Sequence, residues 1–247
     1  MRTILFCLFA LVFFILSPVM WLVILIVRLF SRNASDRLAF VIVKFACRSA
    51  RVIAGTKVTV KGLGNIPENA PCVFVLNHRS IFDIILTYPY MKRPTGFIAK
   101  KELGGIPFFS TWLYFANCLF LDRKDIRKGL QTMLKGIDNV KRGVSMAIFP
   151  EGTRNRDKES QTSIAEFHEA SFKLATKPNV PIVPVAVYNT ENCFENHRPW
   201  IRSAKVRISF LEPILPDELE GDEKKFIGRY TREKIQQVLY SYEAENE

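Results

Sequence analysis

Twenty-five consecutive residues, Thr3 to Val27, lie uncharged between Arg2 and Arg28, and most of them are aliphatic or aromatic. No other feature limits the fold as strongly. As a helix the run would rise about 37 Å at about 1.5 Å per residue, enough to cross a hydrocarbon core of about 30 Å with some tilt. A secretory signal would have a shorter apolar core and end at a small-residue cleavage site. Here the run passes Ser17 and Pro18 and resumes as Val19-Met20-Trp21-Leu22. A core helix of a globular domain would show one polar face. The stretch 1–30 therefore reads as an uncleaved membrane anchor. Pro18 either kinks one spanning helix or marks the turn of a re-entrant hairpin. Arg28, Arg32, Arg37, Lys44 and Arg48 follow the run, against Arg2 alone before it. This asymmetry places the body, 31–247, on the cytoplasmic side of the cell membrane.

The formal net charge of +11 calls for anionic partners. Nucleic acid is excluded as a class, because neither a basic helix with interleaved base-reading residues nor a zinc-finger or RNP pattern occurs. Beside an anchor, membrane lipids and phosphorylated substrates fit. The five cysteines are scattered without a C-x-x-C pair, and His78, His168 and His197 lack metal-ligand spacing. The pattern supports no metal site.

Ser35 to Ala54 has helical periodicity with Gly55 as its stop. Arg37, Lys44, Arg48 and Arg51 fall on one stripe of that helix, either a solvated face or an interfacial helix over 31–55 lying on anionic headgroups. Beyond it, strands are expected around Val58 and Val60, at Cys72–Leu76, Phe97–Ala99, Leu119–Leu121, Ser145–Phe149, Ile182–Tyr188 and Lys205–Leu211. Helices are expected near Asp83–Tyr90, Asp125–Arg142, Ser163–Lys177 and Glu223–Tyr242. Such alternation predicts an α/β fold, a central mostly parallel sheet with helices on both faces, preceded by an N-terminal membrane helix or helical hairpin.

Active residues of α/β sheets gather where strands end at their carboxyl termini. The strand at Cys72–Leu76 empties into Asn77-His78-Arg79-Ser80-Ile81-Phe82-Asp83, that at Leu121 into Asp122-Arg123, and that at Phe149 into Pro150-Glu151-Gly152-Thr153-Arg154. His78 is the natural proton acceptor near neutral pH. Its second ring nitrogen needs an acceptor to fix the tautomer, and Asp83 suits that task. Residues five apart diverge by about 140° within one helix, so His78 must precede the helix and Asp83 lie in its first turns. Arg123 and Arg154 suit bidentate phosphate contact, and Gly152 permits close backbone approach to an anion.

Four ordered blocks resemble the glycerophospholipid acyltransferase family, specifically bacterial-type 1-acyl-glycerol-3-phosphate acyltransferases. They are Asn77–Asp83, Phe120-Leu121-Asp122-Arg123, Phe149–Arg154, and Val180-Pro181-Ile182-Val183-Pro184-Val185-Ala186. Ala99-Lys100-Lys101-Glu102-Leu103 is similar to the segment between the first two. The resemblance covers about residues 58–212. It implies transfer of a fatty acyl group from an acyl thioester to the free hydroxyl of lysophosphatidic acid, giving phosphatidic acid. The donor would be acyl-CoA or an acyl carrier protein thioester, used as co-substrate with no cofactor. His78 would deprotonate the hydroxyl, and Asp83 would orient and stabilise His78. Arg123, Glu151, Gly152, Thr153 and Arg154 would hold the glycerol phosphate, with Lys101 a further phosphate ligand. The sequence departs from the family at Asn117-Cys118 and Ala170, where glycine is usual. Two alternatives stand beside this reading: another lysophospholipid as acceptor, or an inactive membrane lipid-binding protein. No G-x-S-x-G elbow suggests a serine hydrolase.

Overall fold

The computed structural model describes residues 1–157 and 160–245. The apolar run forms one continuous helix, α1 (Arg2–Phe30), which passes through Pro18 unbroken. The chain reverses instead at Ser31, whose extended backbone separates α1 from α2 (Arg32–Ala54) and whose hydroxyl accepts the Ala34 N–H at 3.2 Å. Such a side-chain cap satisfies one of the helix's free N-terminal donors. Helix α2 stops at Gly55, as its sequence predicts.

The helical hairpin so formed is fastened to the body. Thr3 accepts the Ile201 N–H at 2.9 Å, Phe6 meets Phe82, and Phe13 packs on Trp112. The Trp112 indole N–H donates to buried Ser17 at 2.7 Å, and near the far end Arg28 lies over the Tyr114 ring. Contact therefore runs along the whole of α1, while its outer side leaves Leu8, Leu11, Ile15, Val19, Leu22 and Leu29 exposed.

The basic stripe of α2 divides in the structure. Lys44 donates to the Met91 carbonyl at 2.7 Å and Arg51 to the Tyr90 hydroxyl at 2.9 Å, so both serve the body. Arg37 and Arg48 remain outside, together with exposed Val41, Phe45 and Val52. The face turned outward thus carries apolar side chains beside the two arginines.

Seven strands form one sheet: β1 (Lys57–Lys61), β2 (Val73–Leu76), β3 (Thr95–Lys100), β4 (Leu119–Leu121), β5 (Ser145–Ile148), β6 (Ile182–Tyr188) and β7 (Lys205–Phe210). Their spatial order is β1-β7-β6-β2-β5-β3-β4, with only the β6/β7 pair antiparallel. Successive side chains of a strand point to opposite faces. Phe74 and Leu76 therefore pack with Phe40 of α2 and with Phe82 and Leu86 of α3 (Phe82–Thr87). Val73 and Val75 face the other way, into a core shared with α5 (Ile126–Lys141), α6 (Lys173–Thr176) and α8 (Ile227–Ala244). Both faces are covered, which is why β2, β5 and β6 are uninterrupted buried runs.

Three local readings change. The helix expected over Ser163–Lys177 is confined to a 3-10 turn at Glu169–Phe172 and the single turn of α6. Helix α4 (Phe109–Phe115) appears where none is expected. The helix near Glu223–Tyr242 is split into α7 (Gly221–Lys225) and α8.

Candidate active site

Strand β2 lies between β5 and β6, so its carboxyl end is flanked by the loops leaving both. Asn77 joins the turn after β2 to β6, donating to the Val187 carbonyl and accepting the Val187 N–H, each at 2.8 Å. His78 follows in the turn, and Asp83 sits in the first turn of α3. The ring Nδ1 of His78 lies 2.8 Å from Asp83 Oδ2. A carboxylate only accepts, so Nδ1 carries the proton and Nε2 keeps its lone pair.

Asp83 is fully buried and held from several sides. Its Oδ2 also accepts the backbone N–H groups of Arg79 and Ser80, at 2.8 and 2.9 Å. Its Oδ1 accepts the hydroxyl of Thr190. The five-residue spacing is therefore geometric: the turn wraps its own N–H groups around the carboxylate that begins the helix. Phe149 supplies a floor, its ring stacked on the imidazole with centroids 4.0 Å apart.

The loop after β5 is zipped to this turn. Glu151 Oε1 accepts the His78 backbone N–H at 2.6 Å, Oε2 accepts the Ala165 N–H at 2.9 Å, and the Asn155 N–H donates to the His78 carbonyl at 2.7 Å. Glu151 is 5% exposed, and both its oxygens are committed inside the protein. Burial pushes its carboxyl up to about 7, against the pull of the two backbone donors. Gly152 has φ +72°, the left-handed conformation that favours glycine, and a Cβ there would stand 3.3 Å from the His168 ring. Its N–H donates back to the Phe149 carbonyl at 2.9 Å, leaving close approach to an anion to the backbone beyond it. Thr153 is exposed at the loop tip. Arg154 is linked to the turn through Glu195: its Nη1 lies 2.9 Å from Glu195 Oε1, which also accepts the Ile81 N–H at 3.0 Å.

Lys101 and Arg123 stand elsewhere on the rim, at the ends of β3 and β4. Arg123 is exposed, and the Lys101 ammonium lies 2.8 Å from Asp122 Oδ2. The structure thus joins His78, Asp83, Glu151 and Arg154, through Glu195, in one bonded cluster, while Lys101 and Arg123 follow β3 and β4, which lie beyond β5 in the sheet. Among the described residues, no group of three or more His, Cys, Asp or Glu side chains is arranged to hold a metal.

The segment Asn189–Glu195 is the part that the sequence reading missed. Thr190 holds Asp83, Glu191 pairs with buried Arg79 at 2.8 Å, and Glu195 takes the Ser80 hydroxyl and the Ile81 N–H. The strand-end rule points there, since β6 runs parallel to β2 and stops at Tyr188. One departure from the family is also accounted for. Asn117 adopts φ 58°, a conformation that asparagine tolerates better than most residues, and its carbonyl crowds Gly96.

The chain is similar to proteins of known family. The sequence profile of the acyltransferase family matches residues 57–188, from β1 to the end of β6. A 1-acyl-sn-glycerol-3-phosphate acyltransferase of Borreliella burgdorferi is 31% identical over 82% of this chain and 80% of its own. The enzyme of that name from Escherichia coli is 26% identical over 77% of this chain and 76% of its own. The crystal structure of the 1-acyl-sn-glycerophosphate (LPA) acyltransferase PlsC of Thermotoga maritima superposes with a TM-score of 0.77 at 26% identity, covering 99% of this chain and 98% of that one. The profile spans every strand end that builds the cluster around His78, and with the Borreliella relative it shows that this chain belongs to the acyltransferase family.

Proposed function

We propose that the protein transfers a fatty acyl group from an acyl thioester to the free hydroxyl of 1-acyl-glycerol-3-phosphate, forming phosphatidic acid. The observation that carries this reading is the His78–Asp83 pair held in the turn to which Arg154 is linked through Glu195. The names of the relatives support lysophosphatidic acid as acceptor, and the family supports an acyl donor.

Nε2 of His78 accepts the proton of the acceptor hydroxyl as its oxygen attacks the thioester carbonyl. The resulting imidazolium lies against the Asp83 carboxylate, already oriented by three N–H donors and one hydroxyl. Preorganisation of this kind spares the site the cost of reorienting dipoles as charge develops. On collapse of the tetrahedral intermediate, the C–S bond breaks and the thiolate takes the proton from Nε2. The thioester is activated already, so one general base suffices, contributing about 10²–10⁴-fold. Arg154 binds the acceptor phosphate, with Arg123 and Lys101 further along the rim. Glu151 acts from behind, fixing the His78 backbone rather than touching substrate. Acyl-CoA and an acyl carrier protein thioester both satisfy this chemistry.

The site lies at the cytoplasmic face of the cell membrane in this reading, which the apolar helix α1 and the charge asymmetry around it support. Helix α1 is long and apolar enough to cross a membrane, and because it is fastened to the body along its length, its exposed apolar side would bring the body against the lipid. Basic residues clustered near the start of α2 favour the cytoplasmic leaflet.

The test is thiol release by the purified protein with a long-chain acyl thioester and a panel of lyso-acceptors. Release with 1-acyl-glycerol-3-phosphate, and phosphatidic acid as product, is expected. Equal rates with a lysophospholipid bearing an alcohol on its phosphate would move the reading to that acceptor. No release with any acceptor would leave a lipid-binding protein.

A further inference from the structure

Glu195 collects around one carboxylate the donors that usually bind an external anion. Its Oε1 accepts from Arg154 Nη1 at 2.9 Å and from the Ile81 backbone N–H at 3.0 Å, with Arg198 Nη2 3.7 Å away. Its Oε2 accepts the Ser80 hydroxyl. These donors come from the turn after β2, the loop after β5, and the segment following β6, so the fold itself brings them together. The carboxylate is 14% exposed and the guanidinium 30%, which sets the pair at the rim rather than in the core. Two arginines, a backbone N–H and a hydroxyl are also what a phosphate monoester takes, and such donors bind its oxygens by charge-assisted hydrogen bonds.

We propose that Glu195 is an internal stand-in for the acceptor phosphate: it pairs with Arg154 while the site is empty and yields the guanidinium when the acceptor binds. This rests on Arg154 being the phosphate ligand. The exchange leaves no stranded charge, because Glu195 keeps the Ile81 N–H, the Ser80 hydroxyl and Arg198. It also discriminates among headgroups. A neutral acceptor cannot displace a carboxylate, a phosphodiester does so with one charge, and a phosphate monoester with nearly two. Because the residues that hold Glu195 belong to the turn carrying His78, the stand-in keeps Arg154 beside the base until the phosphate arrives.

Glu195→Gln keeps the side-chain length and an oxygen for Ile81 while removing the competing charge. KM for 1-acyl-glycerol-3-phosphate should fall about two- to fivefold, the change given by losing a partly exposed ion pair of up to about 1 kcal/mol. Inorganic phosphate should become a stronger competitive inhibitor by the same factor. KM for phosphate-free 1-acylglycerol should stay within about twofold of wild type. An unchanged or raised KM for the phosphate-bearing acceptor overturns the proposal. So does an equal loss of rate on both acceptors, which would make Glu195 a simple fastener of the His78 turn. Arg154→Ala, measured alongside, identifies which claim has failed. If it weakens both acceptors alike, the phosphate assignment falls and the stand-in with it. If its effect is confined to the phosphate-bearing acceptor while Glu195→Gln leaves KM unmoved, the stand-in alone falls.

Discussion

At the carboxyl end of β2 the functional groups are buried and multiply held, whereas at the ends of β3 and β4 they stand in solvent. Asp83 is fully buried beneath three N–H donors and a hydroxyl, and the Glu151 carboxylate bridges two loops from inside. Lys101, by contrast, is 61% exposed in its side chain and meets Asp122 in an ordinary surface ion pair. The difference separates two tasks. A base must keep one tautomer and one direction, which burial and hydrogen bonds enforce. A rim that admits a phosphate and later releases its product needs charges that can change partners. Arg154 lies between the two, partly exposed and paired through Glu195 to the buried turn.

The sharpest test of the buried half is His78→Ala. Removing the proposed base should lower turnover about 10²–10⁴-fold while thermal unfolding and membrane association stay as in wild type. A variant that kept more than about a tenth of the wild-type rate would place the base elsewhere. Next in size, Arg154→Ala should cost acceptor use about 1.5–3 kcal/mol, the worth of a charge-assisted phosphate contact, and spare the donor's KM.

Glu151 tests whether the inner half is structural. Replacing it by Gln leaves one oxygen for two backbone donors, so the amide NH₂ must face the N–H of His78 or Ala165. That mismatch should destabilise the protein by about 1–3 kcal/mol. The pH dependence has a definite sign. The folded carboxyl titrates at about 7, above its ordinary value of 4.5, because burial penalises its charge. The folded state therefore holds the proton more tightly, and stability should fall as pH rises from about 4.5 to about 7, then level off. Thermal midpoints across that range should lose this slope in Glu151→Gln; a slope that survives belongs to another group. A smaller effect is expected from Thr190→Val, which leaves Asp83 Oδ1 without its hydroxyl donor. Stability should drop by about 1 kcal/mol, and Thr190→Ser should restore it.

Legibility in the sequence follows the same division. The strands show because each buried run is apolar over its length, and Asn77–Asp83 shows because a strand end delivers it. The turn after β6 is hidden by distance: Thr190 lies 107 residues from Asp83, and a polar stretch such as Asn189-Thr190-Glu191 looks like any solvated loop. The helix expected at Ser163–Lys177 fails for a related reason. Ile164 and Phe167 are buried, but from an irregular segment whose Ala165 N–H goes to Glu151 instead of to a helical carbonyl. Helix α4 lacks the polar face that marks a surface helix. Trp112 and Phe115 are buried on one side, while Phe109 and Tyr114 are exposed on the other. Lys44 and Arg51 share a helical stripe with Arg37 and Arg48, yet their long stems carry them to Met91 and Tyr90. Helical periodicity places the α carbons and says nothing of where such stems end.

The exposed half is tested most gently by Asp122→Asn. The hydrogen bond and charge of Asp122 hold the Lys101 ammonium above the ordinary lysine range, and Lys101 with the Lys124 N–H draws the Asp122 carboxyl down. Solvent screens this pair, so removing the carboxylate should leave stability nearly unchanged. If Lys101 leaves Asp122 for the acceptor phosphate, freeing it in advance should lower KM for 1-acyl-glycerol-3-phosphate slightly, and by less than Glu195→Gln does. The effect should vanish at about 1 M salt, where the Debye length is about 3 Å, whereas the Glu195→Gln effect should survive in part because its pair is better shielded. A stability loss as large as that of Glu151→Gln would show that the β3/β4 edge is as firmly built as the turn at His78. Equal salt sensitivity of the two variants would show that Arg154 is no better shielded than Lys101. Either result would remove the distinction between a fixed base and an exchangeable rim.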